Sequence, residues 1–165
     1  MSALFPLEIE TLARLLLDEA RARGWRITTA ESCTGGLVVG ALTEIAGSSD
    51  VVDRSFITYS NRAKTEMLGV PGDLIADRGA VSEPVARAMA EGALSQSNAH
   101  LSVAITGVAG PGGGTALKPV GLVHFATAAA NGPIRHREER FDLTDRTAIR
   151  LASVQVALEM LRERL

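Results

Sequence analysis

The stretch that decides the fold is Thr28-Thr29-Ala30-Glu31-Ser32-Cys33-Thr34-Gly35-Gly36. Residues 25–29 are typical of a short strand and the apolar run at 37–45 is typical of a helix, so this polar stretch is predicted to form a strand-to-helix turn. The first N–H groups of a helix have no partner within the helix and carry partial positive charge. Such a turn can bind an anion or stabilise an oxyanion.

Two side chains of this turn are possible nucleophiles, Ser32 and Cys33. Gly35 and Gly36 would let a ligand approach the backbone because they carry no side chain. A purely structural interpretation is also open, since Ser, Thr and Gly are common where helices begin and Thr34 could cap the helix. The rest of the chain has to decide between the two.

Length and composition limit the class of protein. The chain has 165 residues, 46% hydrophobic and 22% charged, as expected for one soluble domain spanning residues 1–165. A net charge of −2 and 4% aromatic residues give no basic or stacking surface, so no nucleic-acid partner is predicted. No apolar run has membrane-spanning length and residues 1–6 lack a secretory pattern, so we expect a cytoplasmic location and no membrane partner.

The cysteine and histidine content argues against a metal site. The single cysteine, Cys33, excludes an intrachain disulfide. The three histidines, His100, His124 and His136, do not have metal-ligand spacing. We therefore predict neither a metal ion nor a cofactor.

The order of predicted elements indicates an α/β fold. Helices are predicted at residues 7–23, 34–46, 60–69, 82–96 and from 145 onwards, and strands at 25–29, 56–59, 101–106, 122–128 and 134–141. Residues 70–73 are predicted to form a turn. Alternating helices and strands favour a sheet covered on both faces. Asn131-Gly132 is a strong hairpin signal, so the last two strands should be antiparallel and the sheet mixed.

A second candidate site is Tyr59-Ser60-Asn61-Arg62-Ala63-Lys64. Tyr59 is predicted to end a strand, and ligands of α/β sheets bind at strand ends. A lysine that burial makes neutral can accept the proton of a serine nucleophile, and Tyr59 could orient Lys64 or donate to an oxyanion. The alternative is that Lys64 is an ordinary solvated lysine on a helix.

Two further segments could bind an anion. The glycine-rich segment 107–115 could present backbone N–H groups, with Lys118 as a phosphate ligand, or it could be a flexible surface hairpin. Arg146 and Arg150 share one face of the last helix, and an arginine at a strand-to-helix junction suits phosphate or carboxylate. An ion pair of Arg146 with Asp142 or Asp145 is equally consistent with the sequence.

Several motifs occur along the chain in a recognisable order. They are Thr29-Ala30-Glu31-Ser32-Cys33-Thr34-Gly35-Gly36, Thr58-Tyr59-Ser60-Asn61 with Lys64, Gly79-Ala80-Val81-Ser82, Thr106-Gly107-Val108-Ala109-Gly110-Pro111, Gly113-Gly114 and Lys118-Pro119-Val120-Gly121. Together they resemble the C-terminal domain of CinA, the competence/damage-inducible protein family. The resemblance covers nearly the whole chain, and it implies a three-layer α/β/α sandwich with a mixed sheet. It also implies a nicotinamide-nucleotide amidohydrolase (NMN deamidase), which converts nicotinamide mononucleotide (NMN) to nicotinate mononucleotide and ammonia in pyridine nucleotide recycling.

The resemblance implies roles for individual residues. It makes Ser32 the nucleophile, Lys64 the base and Tyr59 the partner of Lys64, in a homodimer with NMN as its small-molecule substrate. Backbone N–H groups of residues 33–36 are expected to hold the oxyanion. Together with the segments above, the predicted substrate-binding residues are Thr34, Gly35, Gly36, Thr106, Gly107, Gly110, Gly113, Lys118 and Arg146.

Three alternatives stay open on the sequence alone. Cys33 could be the nucleophile, with Glu31 and Lys64 in nitrilase-like roles, because a thiol at a helix N-terminus has a lowered pKa. The chain could bind a nucleotide without catalysing a reaction. It could also hydrolyse a different amide, since no stretch specifies the pyridine ring.

Overall fold

The computed structural model describes residues 2–165. Within this range the chain forms six α-helices and a five-stranded sheet. The helices are α1 (Leu7–Arg23), α2 (Leu37–Thr43), α3 (Asn61–Leu68), α4 (Gly72–Arg78), α5 (Glu83–Ser95) and α6 (Arg146–Arg162). The strands are β1 (Ile27–Glu31), β2 (Val52–Ile57), β3 (Leu101–Gly107), β4 (Leu122–Ala129) and β5 (Arg135–Arg140). None of the helices in residues 2–165 combines the length and the apolar character needed to cross a membrane.

The sheet is mixed, as the sequence predicts, and its strand order is β2-β1-β3-β4-β5. β1 pairs in parallel with β2 and with β3, whereas β4 pairs antiparallel with β3 and with β5. The carboxyl ends of β1, β2 and β3 therefore meet at one edge of the sheet. Ligands of α/β sheets bind at such an edge.

Helices cover both faces of the sheet. α1, α2 and α6 form one hydrophobic core with it, in which Leu16 and Ile149 are fully buried. α3, α4 and α5 form a second core on the opposite face, around Met89 and Leu68. The three-layer α/β/α arrangement is confirmed, and it explains why β4 is buried along its whole length.

The boundaries of the first strand and the second helix differ from the prediction. β1 ends at Glu31 rather than at residue 29, because its pairing with β2 and β3 continues to Glu31. α2 begins at Leu37 rather than at residue 34, because Gly35 and Gly36 have φ of +56° and +103°, outside the helical region. The turn that carries Ser32 therefore does not belong to the helix.

Two other predictions were wrong. β2 lies at Val52–Ile57 rather than at residues 56–59, because its register with β1 starts by pairing Ile27 with Val52. Residues 70–73 are not only a turn, since α4 begins there at Gly72, directly after Pro71. A helix of seven residues is too short to give a clear periodic signal in the sequence.

Candidate active site

A cavity of about 280 Å³ opens at the carboxyl ends of β1 and β3. Its walls come from the turn after β1, the start of α3, the segments that precede α5 and follow β3, and the start of α6. The lining residues are Ser32, Cys33, Tyr59, Asn61, Lys64, Ala80, Val81, Thr106, Gly107, Val108, Ala109, Gly110, Gly112 and Arg146. The structure thus brings the turn after β1 and the Tyr59–Lys64 segment into one site, although they are separate in the sequence.

Lys64 is a buried side chain of this cavity. It lies near the start of α3, where the N-cap residue Ser60 accepts a hydrogen bond from the Ala63 N–H. Lys64 and Leu68 are the buried residues of this helix, and only 1% of Lys64 is exposed. The interpretation of Lys64 as a solvated helix lysine is therefore wrong.

The amine of Lys64 has three hydrogen-bonding neighbours. Its Nζ lies 2.9 Å from Ser32 Oγ and donates to the carbonyl oxygens of Thr58 at 2.8 Å and Tyr59 at 3.2 Å. Burial lowers the pKa of Lys64 to about 8, against a smaller opposing influence of Cys33. In the neutral form the two carbonyl groups use both N–H groups of the amine, so its lone pair is left for the Ser32 O–H. This is the arrangement of a general base beside a nucleophile.

Glu31 is the second buried ionisable side chain beside Ser32, and it is fully buried. Its carboxylate accepts five hydrogen bonds of 2.8–3.1 Å, from the Thr29 and Thr34 hydroxyls and from the N–H groups of Gly36, Val38 and Val39. Three of these donors are the free N–H groups at the start of α2. The positive end of this helix is thus occupied by a side chain of the protein itself.

Because Glu31 accepts these N–H groups, fewer of the predicted donors are left to stabilise an oxyanion. The N–H groups of Gly36, Val38 and Val39 point at Glu31, and the Gly35 N–H donates to the Ser32 carbonyl oxygen at 3.0 Å. Of the predicted donors in residues 33–36, only the N–H groups of Cys33 and Thr34 have no acceptor in another residue within residues 2–165. Cys33 follows Ser32 directly and lines the cavity, so its N–H is the better placed to stabilise an oxyanion.

The thiol of Cys33 does not have the properties of a nucleophile. Its pKa is raised to about 11, chiefly because burial disfavours the thiolate, with Glu31 adding to the effect. The lowered pKa expected for a thiol at a helix N-terminus is therefore wrong for this chain. Glu31 is fully engaged by α2 and cannot take the nitrilase-like role either. The geometry favours Ser32 over Cys33.

Arg146 forms another wall of the cavity from the start of α6. Its guanidinium donates to the Gly110 carbonyl oxygen at 2.6 Å and to the Tyr59 hydroxyl at 3.3 Å. Asp145, considered above as an ion-pair partner, instead caps α6 by accepting the Ala148 N–H at 2.8 Å. The cavity is thus lined by two basic side chains and no carboxylate, which favours an anionic ligand.

Tyr59 contacts Lys64 differently from the prediction. The contact to the amine is made by the Tyr59 backbone carbonyl, whereas the phenol hydroxyl reaches Arg146, and the residue as a whole is 63% exposed. The Thr106 side chain is held at the cavity wall because its hydroxyl donates to the Ala80 carbonyl oxygen at 2.9 Å. Gly107 is required where it stands, because a Cβ there would lie 2.6 Å from Val123 Cγ2.

Several predicted substrate-binding residues do not line the cavity. They are Thr34, Gly35, Gly36, Gly113 and Lys118. Thr34 is buried with its hydroxyl directed at Glu31, so its role is structural. Lys118 Nζ donates to the Arg78 carbonyl oxygen at the end of α4, at 2.6 Å.

Sequence reasoning also missed part of the site. The lining residues that were not named individually as site residues are Asn61, Ala80, Val81, Val108, Ala109 and Gly112. Asn61, Val108, Ala109 and Gly112 lie in the candidate segments 59–64 and 107–115, and Ala80 and Val81 lie in a quoted motif. Within residues 2–165 no group of three potential metal-ligating side chains converges.

The chain is similar to known proteins along most of its length. The family described as CinA C-terminal domain matches residues 9–165. A nicotinamide-nucleotide amidohydrolase, PncC, of Escherichia coli K12 is 48% identical over 154 residues, which are 93% of this chain and 93% of that protein. A CinA-like protein of Mycobacterium sp. JLS is 55% identical over 142 residues, which are 86% of this chain. The chain spans about a third of the length of the CinA-like relatives that it matches.

Solved structures share the fold. The crystal structure of the competence/damage inducible protein CihA from Agrobacterium tumefaciens superimposes with a TM-score of 0.97 at 57% sequence identity. The match covers 98% of both chains. The α/β architecture described above is therefore shared along the whole chain with an experimental structure.

Proposed function

The chain belongs to the CinA C-terminal domain family, and we propose that it is a nicotinamide-nucleotide amidohydrolase acting on NMN in pyridine nucleotide recycling. The observation that carries the proposal is the 2.9 Å contact between Lys64 Nζ and Ser32 Oγ in a cavity with no lining carboxylate. The name of the E. coli relative supports the choice of substrate. The size of the cavity suits a small molecule.

The proposed reaction begins with proton transfer from Ser32 to neutral Lys64. As the proton leaves, Ser32 Oγ attacks the carboxamide carbon of NMN and forms a tetrahedral intermediate. The negative charge develops on the former carbonyl oxygen, and the Cys33 N–H is the nearest candidate donor to it. A donor of this kind is typically worth about 10²–10³ in rate.

The second half of the reaction releases both products. Protonated Lys64 returns its proton to the amide nitrogen as the C–N bond breaks, so ammonia leaves and a nicotinoyl ester of Ser32 remains. Neutral Lys64 then takes a proton from water, whose oxygen attacks the ester carbon. The ester C–O bond breaks, Ser32 recovers its proton from Lys64, and nicotinate mononucleotide is released.

The phosphate of NMN is proposed to bind at Arg146 and the backbone that follows β3. Arg146 is already held in place by the Gly110 carbonyl and the Tyr59 hydroxyl, and a guanidinium suits a phosphate. Gly112 contributes further backbone to the same wall. Lys118 is not part of the proposal, because its amine is engaged at the end of α4.

The test is ammonia release from NMN and from nicotinamide riboside, which lacks the phosphate, by wild type and Ser32→Ala. We expect turnover of NMN that disappears in Ser32→Ala and a higher KM for the riboside. Because neutral Lys64 is the base, kcat should rise about tenfold per pH unit at low pH and level off above about pH 8.

Two results would contradict the proposal. Tight NMN binding without ammonia release by the folded wild type would indicate a nucleotide-binding module. Turnover that survives in Ser32→Ala but is lost in Cys33→Ala would assign the chemistry to the thiol.

A further inference from the structure

We propose that Arg150 is a positioning residue that fixes the oxyanion-binding backbone next to Ser32, a role that rests on the proposed function. Arg150 lies on α6, one turn after Arg146. Its Nε donates to the Cys33 carbonyl oxygen at 3.0 Å and its Nη2 to the Thr34 carbonyl oxygen at 3.3 Å. One guanidinium therefore holds two consecutive carbonyl groups of the turn that follows the nucleophile.

The planarity of the peptide bond carries this constraint to the N–H groups. A carbonyl oxygen and the next N–H lie in one plane and point in opposite directions. Holding the Cys33 carbonyl thus sets the direction of the Thr34 N–H. Holding the Thr34 carbonyl sets the direction of the Gly35 N–H, which donates to the Ser32 carbonyl oxygen at 3.0 Å.

That last hydrogen bond extends the constraint to the proposed oxyanion donor. The Ser32 carbonyl and the Cys33 N–H belong to one peptide plane. Fixing this carbonyl through Gly35 therefore fixes the Cys33 N–H, which has no acceptor in another residue within residues 2–165. Arg150 acts on the reacting atoms through the backbone and does not line the cavity itself.

The turn is shaped for this contact. A Cβ at Gly35 would lie 3.3 Å from Arg150 Nη2, so the guanidinium crosses the backbone where no side chain is present. Glu31 takes the N–H groups on the helical side of the turn, and Arg150 takes the carbonyl groups before it. A planar guanidinium can hold two acceptors in fixed directions, which an ammonium group does poorly.

The experiment compares Arg150→Met and Arg150→Lys with a matched control, Arg164→Met. Arg164 lies just after α6, is partly buried, and donates to the Thr127 carbonyl and hydroxyl oxygens, and neither residue lines the cavity. A small misplacement of reacting groups can cost about 10²-fold in rate, so we expect kcat on NMN to fall by about that factor in Arg150→Met. KM should change by less than about threefold, and Arg150→Lys should recover part of kcat.

The control distinguishes a loss of kcat caused by a displaced backbone from a loss caused by lower stability. Arg164→Met should lower the melting temperature about as much as Arg150→Met does and leave kcat near the wild-type value. A merely structural Arg150 would lower kcat only in step with the folded fraction. Wild-type kcat in well-folded Arg150→Met, or an equal loss in Arg164→Met, would overturn the inference.

A second readout does not depend on NMN being the substrate. A fluorophosphonate transfers its phosphonyl group to a serine oxygen with loss of fluoride, and its phosphoryl oxygen needs the same donor. The rate of Ser32 labelling, followed by intact mass, should fall in Arg150→Met and not in Arg164→Met. Labelling of the wild type without NMN turnover would reject the proposed substrate alone, whereas equal labelling rates in the wild type and Arg150→Met would reject the role of Arg150.

Discussion

Glu31 and Lys64 are both buried ionisable side chains beside Ser32, but the protein surrounds them differently. Glu31 accepts five hydrogen bonds, three of them from the positive end of α2. Lys64 has two backbone carbonyls and a hydroxyl, and its pKa is lowered to about 8. Glu31 is thus held in place by hydrogen-bond donors on all sides, whereas burial disfavours the charged form of Lys64.

The difference shows how one site can combine a side chain that fixes the backbone with a side chain that can move a proton. A buried carboxyl group with a complete set of hydrogen-bond donors fixes the backbone around it. A buried amine without a counter-ion sits close to its neutral form and can move a proton. Ser32 lies between them, on a backbone fixed by the first and next to a base supplied by the second.

The largest expected effect is the loss of kcat when Lys64 is replaced. Lys64→Met should lower kcat by about 10⁴-fold, and raising the pH should not restore it, because no base is left beside Ser32. The other lysine of the chain provides the control, since Lys118→Met removes an amine outside the cavity. Steady-state kinetics on NMN at pH 7 and pH 9 would check both. Recovery of activity at high pH in Lys64→Met would show that another group is the base.

The next largest effect is a loss of stability when Glu31 is replaced. Glu31→Gln keeps the shape of the side chain but turns an amide N–H₂ towards backbone donors, so the free energy of unfolding should fall by about 3 kcal/mol. Urea unfolding measures this value. Glu19→Gln is the control, because Glu19 pairs with Arg162 at the surface, where such pairs contribute about 0–1 kcal/mol. A loss in Glu31→Gln no larger than in Glu19→Gln would mean that the five hydrogen bonds do not hold the turn.

The smallest effect is a rise of stability with pH that Lys64 should produce. Its pKa is about 8 in the folded protein and 10.5 ordinarily, so between these values the unfolded chain binds more protons and stability rises with pH. From pH 7 to pH 9 the free energy of unfolding should rise by about 1 kcal/mol. The comparison belongs in a Cys33→Ala background, because the raised pKa of the thiol acts in the opposite direction. The same rise in the Lys64→Met version of that background would assign it to another group.

The sequence was sufficient for the layers and the mixed sheet, because apolar runs, glycines and the Asn131-Gly132 signal are local. It was not sufficient for the role of Glu31, and apart from the family resemblance it did not decide between a buried base and a solvated helix lysine at Lys64. The partners of Glu31 are backbone groups of a helix whose start depends on the φ angles of Gly35 and Gly36. The burial of Lys64 results from its position over the carboxyl ends of the strands, which no helical pattern within residues 61–68 shows.

The protonated, buried thiol of Cys33 should react slowly with oxidants. Peroxide attacks thiolates, and Cys33, the one cysteine of the chain, keeps its proton up to a pKa of about 11. An amidase built on a serine and a lysine beside such a thiol would continue to work where cysteine-dependent hydrolases are silenced.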